Sequence, residues 1–178
     1  MKRRVLVTGG AGFIGSHVAD AFLGAGWDVT VLDNLSRGRR QNVPSGAEFL
    51  QMDAGSVEAR ELIAARRFEV ICHHAAQVDV RISVADPILD AEENILALIN
   101  VLEGARLGGT RRVVAISSGG VVYGERQPPH PETAPKLPLS PYGCSSSHLV
   151  AGSHVLEVKT YNKDNLISDD TLMFNIPK

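Results

Sequence analysis

Thr8-Gly9-Gly10-Ala11-Gly12-Phe13-Ile14-Gly15 is the stretch on which the fold turns. It is a GxxGxxG loop, and its flanks give it meaning. Before it, Arg3 to Thr8 is a β-branched run that breaks at Gly9-Gly10. After it, apolar residues from Phe13 to Leu23 recur at helical spacing until Gly24-Ala25-Gly26 ends the pattern. The order is therefore strand, glycine loop, helix. In such a loop Gly9 permits the tight turn, Gly12 lets the backbone approach a pyrophosphate, and Gly15 allows close helix–strand packing. The helix N-terminus adds N–H groups and a dipole suited to phosphates. With 17 glycines in the chain, the spacing alone would be a weak signal. Asp33 strengthens it: the residue ends the next strand, 18 residues after Gly15, near the ~20 expected of a dinucleotide fingerprint. An acid there accepts hydrogen bonds from the adenosine ribose hydroxyls. Glycines as plain loop punctuation rank well behind.

Working outward, Trp27 to Leu32 is a second strand of continuous apolar type, and Ala47 to Gln51, Glu69 to Cys72 and Arg112 to Ile116 are three more. Helical patterns lie between them at about 56–66 and 86–107. Strands alternating with helices pair in parallel through crossovers. Unbroken hydrophobic strands fit a sheet covered on both faces. The expected fold is α/β, a doubly wound parallel sheet of the Rossmann type.

Composition narrows the function. The 178 residues make one domain, or one domain with a short appendage, and 44% hydrophobic content supplies a core. A net charge of −2 with interspersed signs favours neither nucleic acid nor an anionic membrane as partner. No apolar run approaches the ~20 residues of a membrane span, and the stretch after Met1-Lys2-Arg3-Arg4 is too short for a signal peptide. Cys72 and Cys144 form no CxxC pair and no disulfide framework, which points to a reducing, cytoplasmic setting. Asp33 would repel a ribose 2′-phosphate and so favours NAD. Arg37, Arg39 and Arg40 lie just beyond and could instead pair with that phosphate. We rank NAD first, a solvated basic loop next and NADP third.

The successive stretches TGGAGFIGSH, VLDNLSRG, HHAAQVDVRISVADP, SSGGVVYGE and SPYGCS together resemble the motifs of the extended short-chain dehydrogenase/reductases. Within these the chain is most similar to the NAD-dependent epimerase/dehydratase family, in its UDP-glucose 4-epimerase branch. The resemblance runs in order over residues 3–145. It implies that Phe13, Ile14 and Asn34 belong to the cofactor site with the glycines and Asp33. It also implies that Asp53 and Ala54 flank the adenine, that Ala75, Ala76 and Gln77 line the cofactor, and that Asn94 sits below the nicotinamide side. Bland alternatives are a turn-forming Asp53, small packing residues at Ala75 and Ala76, and a helix-surface amide at Asn94. The family's catalysis uses Ser or Thr, Tyr and Lys. The tyrosine takes a proton from the sugar 4-hydroxyl, and the lysine holds the nicotinamide ribose and lowers a phenol pKa that otherwise lies near ~10. Tyr142 matches the tyrosine. Ser118 is the first choice for the hydroxyl and Ser117 the second, because Gly119 stands where a third serine is usual. A nucleotide-sugar partner and a homodimer built through the helix near 86–107 and the one starting at Tyr142 are implied in the same way.

Two departures accompany the resemblance. Four residues after Tyr142 stands Ser146, and no lysine occurs between Lys136 and Lys159. The family's sugar-binding lobe is also missing from the sequence. Composition changes at the same place: every arginine lies between Arg3 and Arg126, and the lysines after Lys2 all follow Arg126. We therefore expect an NAD-binding domain over 1–146 and a tail over 147–178. In that tail a hairpin would replace the helix begun at Tyr142 and so displace the tyrosine. Val155 to Tyr161 alternates with period two, Asn162 to Asn165 reads as a turn, and Leu172 to Ile176 as the return strand. The tail resembles the strand–loop–strand of a C2-domain calcium loop, with Asp164, Asp169 and Asp170 as carboxylates. One hairpin cannot supply the six to eight oxygens calcium takes, so a surface hairpin ranks ahead. A fusion, a frameshift or an engineered splice would each produce such a junction. His17, His73, His74, His148 and His154 lack ligand spacing; no metal is expected, and His74 is expected beside the cofactor. No base is placed by motif to activate Cys144.

Overall fold

The computed structural model describes residues 2–147, apart from Pro128 and Glu132, and the backbone of 153–162 and 165–175. Five strands form one parallel sheet: β1 (Arg4–Thr8), β2 (Asp28–Asp33), β3 (Glu48–Gln51), β4 (Val70–His73) and β5 (Arg112–Ala115), in the order β3-β2-β1-β4-β5. Val5 pairs with both Val29 and Val70, which puts β1 at the centre. The chain builds outward from β1 to β3, then returns across β1 to build β4 and β5. The sheet order thus reverses beside β1.

Both faces of the sheet are covered, as the unbroken apolar strands require. Leu6 and Leu32 point to one side, into a core with Ile63, Phe68, Ile71 and Val101. Val5, Val7, Val29 and Val31 point to the other, against Ala19 and Val43. Each such fully buried aliphatic contributes about 1.5–3 kcal/mol over its exposed state. Helix α1 (Phe13–Gly24) follows the glycine loop, and α2 (Val57–Arg66) starts at Ser56, whose hydroxyl accepts from Ala59 N at 3.1 Å.

The segment expected as one helix over 86–107 is continuous but compound. It runs through α4 (Pro87–Ala91), a π-helical turn (Glu92–Leu96) and α5 (Ala97–Gly108), and ends at Gly109 with φ 71°. Three short elements had no counterpart in the sequence reading: α3 (Val80–Ala85), α6 (Gly119–Val122) and a 3-10 turn (Arg40–Asn42). One expectation is corrected. Helix α7 (Pro141–Ser147) does form, with Tyr142 as its second residue, so no hairpin replaces it as far as Ser147. Beyond the undescribed residues 148–152, β6 (Ser153–Asn162) and β7 (Asn165–Asn175) pair antiparallel, with Val155 opposite Met173. Asp164 and His148 lie outside the described residues. Among the described residues no helix is long and apolar enough to cross a membrane, and no group of three or more His, Cys, Asp or Glu is placed to hold a metal ion.

Candidate functional site

The C-terminal ends of β1, β2, β3 and β4 meet in an open cleft at the point where the sheet order reverses. Open α/β sheets bind ligands at such a switch point. Eight of the expected site residues line it: Gly9, Gly12, Asp33, Asn34, Asp53, Ala54, Ala75 and Ala76.

The glycines divide their work. Gly9 has φ +66°, and a Cβ there would stand 2.6 Å from Ala75 N. It is needed for both its conformation and its closeness to the loop after β4. A Cβ on Gly15 would fall 2.3 Å from Gly9 O, so the tight approach is to the loop backbone rather than to a strand. Gly12 has ordinary extended backbone (φ −79°, ψ 174°), and its Cβ would meet only Gly9 O, at 3.2 Å. A side chain there needs a shift of a few tenths of an ångström at Gly9 O, less than at Gly15, and would add bulk beside the cleft that Gly12 lines. The first helical bond runs from Ser16 N to Gly12 O, 3.1 Å, which leaves the amides of Phe13, Ile14 and Gly15 as first-turn donors. The side chains of Phe13 and Ile14 are exposed.

Asp33 is buried, and its carboxylate holds the site together. Oδ2 accepts from Ala11 N at 3.0 Å and Oδ1 from Leu35 N at 2.8 Å. A Cβ on Gly38 would touch both oxygens. Asp53 serves two ends: Oδ1 accepts from Gly55 N at 2.7 Å, the turn-forming role, and Oδ2 accepts from Asn34 Nδ2 at 2.8 Å. Asn100, which the sequence reading missed, secures that turn by donating to Ala54 O and Ser56 O. Its only sequence signal was an amide on an otherwise apolar helix face. Glu93 also lines the cleft, and burial, ahead of the nearby Asp53, raises its pKa. Three carboxylates therefore face one guanidinium, Arg37, which turns inward to Gln77 Oε1 at 3.2 Å. Arg40 lies over the Phe49 ring instead, 4.6 Å from its centre.

At the end of β4, Thr8 Oγ1 and His73 Nδ1 are 2.8 Å apart. Burial, and behind it the adjacent His74, lowers the His73 pKa to about 4. His74 lines the cleft as expected; burial lowers its pKa, and among the described residues its Nδ1 is buried without a partner.

Gln77 and Asn94 lie behind the cleft rather than on its lining. Gln77 N donates to Asn94 Oδ1 at 2.8 Å, and Asn94 Nδ2 donates back to Gln77 O at 2.9 Å. Asn94 is 7% exposed, so it is not a helix-surface amide, and it occupies the π-helical turn, a distortion frequent at functional sites. Ser118 precedes α6, and Tyr142 lies in α7. These helices pack closely, since a Cβ on Gly143 would stand 2.8 Å from Val121 O. The two candidate serines differ in commitment. Ser117 Oγ donates to Ser146 O at 2.7 Å, while the Ser118 hydroxyl makes no cap and no other side-chain hydrogen bond among the described residues. Ser146 is buried. The ammonium of Lys136 donates to Ser147 O at the end of the same helix.

Comparison with known proteins places this geometry. The model of the NAD dependent epimerase/dehydratase family matches residues 5–156. The chain belongs to that family. The family match continues ten residues past Ser146. Among similar members, a putative UDP-glucose 4-epimerase of Methanocaldococcus jannaschii is 46% identical over 142 residues, covering 79% of this chain and 47% of that protein. The UDP-glucose 4-epimerase of Mycolicibacterium smegmatis is 42% identical over 160 residues, covering 87% and 50%. The Thermus thermophilus UDP-glucose 4-epimerase, solved in complex with NAD, superposes with a TM-score of 0.76 at 47% identity, over 81% of this chain and 47% of that one. A Thermotoga maritima UDP-glucose 4-epimerase solved with UDP-glucose gives 0.77 at 42%, over 80% and 47%. The chain thus spans about half the length of the family members it matches.

Proposed function

We propose that this chain is the coenzyme-binding half of a UDP-glucose 4-epimerase-like enzyme of the extended short-chain dehydrogenase/reductase type, and that its cleft takes NAD. The observation that carries the reading is the glycine loop and Asp33 meeting at the sheet's switch point, in a chain 46% identical to a putative UDP-glucose 4-epimerase. The residues present fit the adenosine and pyrophosphate end of the dinucleotide. The Gly12 backbone opens to the cleft, the first-turn amides of α1 serve phosphates, and Asp33 and Asn34 serve ribose hydroxyls. Asp53 and Ala54 flank the adenine; Ala75, Ala76, Gln77, Asn94 and Ser117 belong to the nicotinamide end. Carboxylates at Asp33, Asp53 and Glu93 disfavour an added 2′-phosphate, with Arg37 engaged by Gln77.

When bound, NAD supplies a reversible hydride acceptor for the sugar carbon. Tyr142 would hold and return the proton of the sugar 4-hydroxyl, and Ser118, with its hydroxyl uncommitted, would hydrogen-bond the same oxygen. Both need help that this chain lacks. Ser146 carries no charge with which to favour the Tyr142 phenolate, and its own carbonyl is occupied by Ser117. That observation favours a second reading for the chain as it stands, a dinucleotide-binding module without turnover. The division into a domain over 1–146 and a β-hairpin tail over 147–178 belongs to the same proposal. So does a cytoplasmic setting, supported by Cys72 and Cys144, which form no disulfide among the described residues. A homodimer is supported by exposed Val84, Ile88 and Leu96 on neighbouring helices.

A coupled assay for conversion of UDP-galactose, run beside Ser146→Lys, tests the account of turnover. General acid–base catalysis is typically worth 10²–10⁴-fold, so loss of the lysine alone should cost roughly two or more orders of magnitude. Missing sugar contacts add to that. Rates at background are expected for the wild-type chain. Substantial wild-type turnover would overturn the module reading and require another cation, Lys136 or Lys159, to reach the site. Background rates in Ser146→Lys as well would assign the deficit to the missing contacts.

A further inference from the structure

Behind the cleft lies a buried carboxylate that the proposed chemistry does not use. Asp90 is 1% exposed, and no salt bridge among the described residues reaches it. Three neutral groups satisfy it: Asn94 Nδ2 donates to Oδ1 at 2.9 Å, Gln77 Nε2 to the same oxygen at 3.4 Å, and Ser145 Oγ to Oδ2 at 3.0 Å. Those three groups come from separate elements. Gln77 follows the cleft-lining Ala75 and Ala76 and accepts from Arg37, itself a lining residue. Asn94 sits in the π-helical turn. Ser145 is on α7, where its hydroxyl also lies 3.0 Å from the carbonyl of Tyr142.

A buried ion without a counter-ion is costly and persists only where its hydrogen bonds are complete. Here they join the cleft wall to the helix that carries Tyr142, one residue before the place where the family's lysine is lost. We propose that Asp90 and Ser145 are positioning residues that couple occupancy of the cleft to the placement of α7, so that a bound dinucleotide orders the helix of Tyr142. The coupling rests on the reading of the cleft as an NAD site. Its path is Arg37 and the 75–77 loop, Gln77, Asp90 and Asn94, Ser145, and the first turn of α7. A ligand that fixes Arg37 and the 75–77 loop fixes Gln77, and the shared carboxylate passes that restraint to Ser145.

Hydrogen–deuterium exchange of the 141–147 segment, with and without NAD, tests this, with calorimetric NAD titration of the same samples. In the wild type, NAD is expected to slow exchange of this segment by on the order of fivefold, the lower end of typical coupling between sites. Ser145→Ala removes one hydroxyl from a helix that tolerates alanine, and it is expected to bind NAD while losing that response. Asp90→Asn is expected to retain it, because the amide oxygen accepts from Asn94 and Gln77 and its nitrogen donates to Ser145 Oγ. A merely structural role would change exchange equally with and without NAD. An unchanged NAD response in Ser145→Ala overturns the proposal, as does NAD binding without protection in the wild type. Absence of any calorimetric signal in the wild type overturns the cleft assignment, and this coupling with it.

Discussion

At the residue scale, the three loop glycines separate by what a methyl group would meet. Gly15→Ala drives a Cβ to within 2.3 Å of Gly9 O. Backbone must move, and overpacking of this kind costs roughly 1–3 kcal/mol, or on the order of 2–10 °C in Tm for a chain of this size. Gly12→Val keeps an allowed extended backbone, sets its Cβ 3.2 Å from Gly9 O and adds bulk beside the cleft that Gly12 lines. It is expected to lower Tm less than Gly15→Ala does and to weaken NAD binding at least ~30-fold, about 2 kcal/mol at the conversion of 1.4 kcal/mol per tenfold. Differential scanning calorimetry and NAD titration on both variants read the two effects separately. His73 gives a pH dependence. Its folded pKa of about 4 lies below the ordinary 6.5, so the unfolded chain binds more protons between those values. The stabilising contribution is complete above pH 6.5 and is lost as pH falls toward 4, on the order of 3 kcal/mol in all. His74, also lowered, adds in the same direction. Chemical denaturation from pH 7.5 to 4 should show the slope, and His73→Asn, whose amide reaches toward Thr8, should flatten it. The glycines and Asp33 were legible because each sits at a fixed offset from a strand end, and Asp53 only through the family resemblance. Asn100, Glu93 and Asp90 were not, since they meet the site only through tertiary packing.

At the element scale, the sheet and its long helices follow from apolar periodicity, and the deviations have local causes. Helix α3 spans six residues and α6 four, too short for a 3.6-residue pattern to stand out, and both are rich in valine. The π-helical turn leaves no periodic mark because it inserts one residue into an otherwise regular helix. Helix α7 forms with Ser146 four residues after Tyr142, because the start of that helix depends on other residues. Gly143 N donates to Ser140 Oγ at 3.0 Å, and Cys144 N to Ser140 O at 2.9 Å. Close packing of α2 on α5 is set by small residues. A Cβ on Gly104 would stand 2.9 Å from Arg60 O and 3.0 Å from the Ile63 Cβ. Gly104→Leu is expected to lower Tm through the same overpacking cost of roughly 1–3 kcal/mol or more. Gly24→Ala, at the end of α1 with nothing within 4 Å, is expected to raise stability by roughly 0.4–1 kcal/mol through the unfolded chain. Thermal denaturation of the pair distinguishes packing from backbone entropy.

At the scale of the whole molecule, the chain spans about half the length of the relatives it matches, and these residues build the cleft. The five strands place loop, acid and helix dipole at one switch point. Dinucleotide binding is therefore expected to survive in this chain even where turnover does not. Among the described residues the balance of charge in that cleft, Asp33, Asp53 and Glu93 against Arg37, is expected to favour NAD over NADP. Isothermal titration calorimetry of the purified chain with NAD and with NADP is the most direct test. Saturable NAD binding at least ~10-fold tighter than NADP, a difference of about 1.4 kcal/mol, is the result expected. Equal or tighter binding of NADP would show that Arg37 and its neighbours govern the cleft rather than Asp33, and absence of binding to either would contradict the assignment of the site.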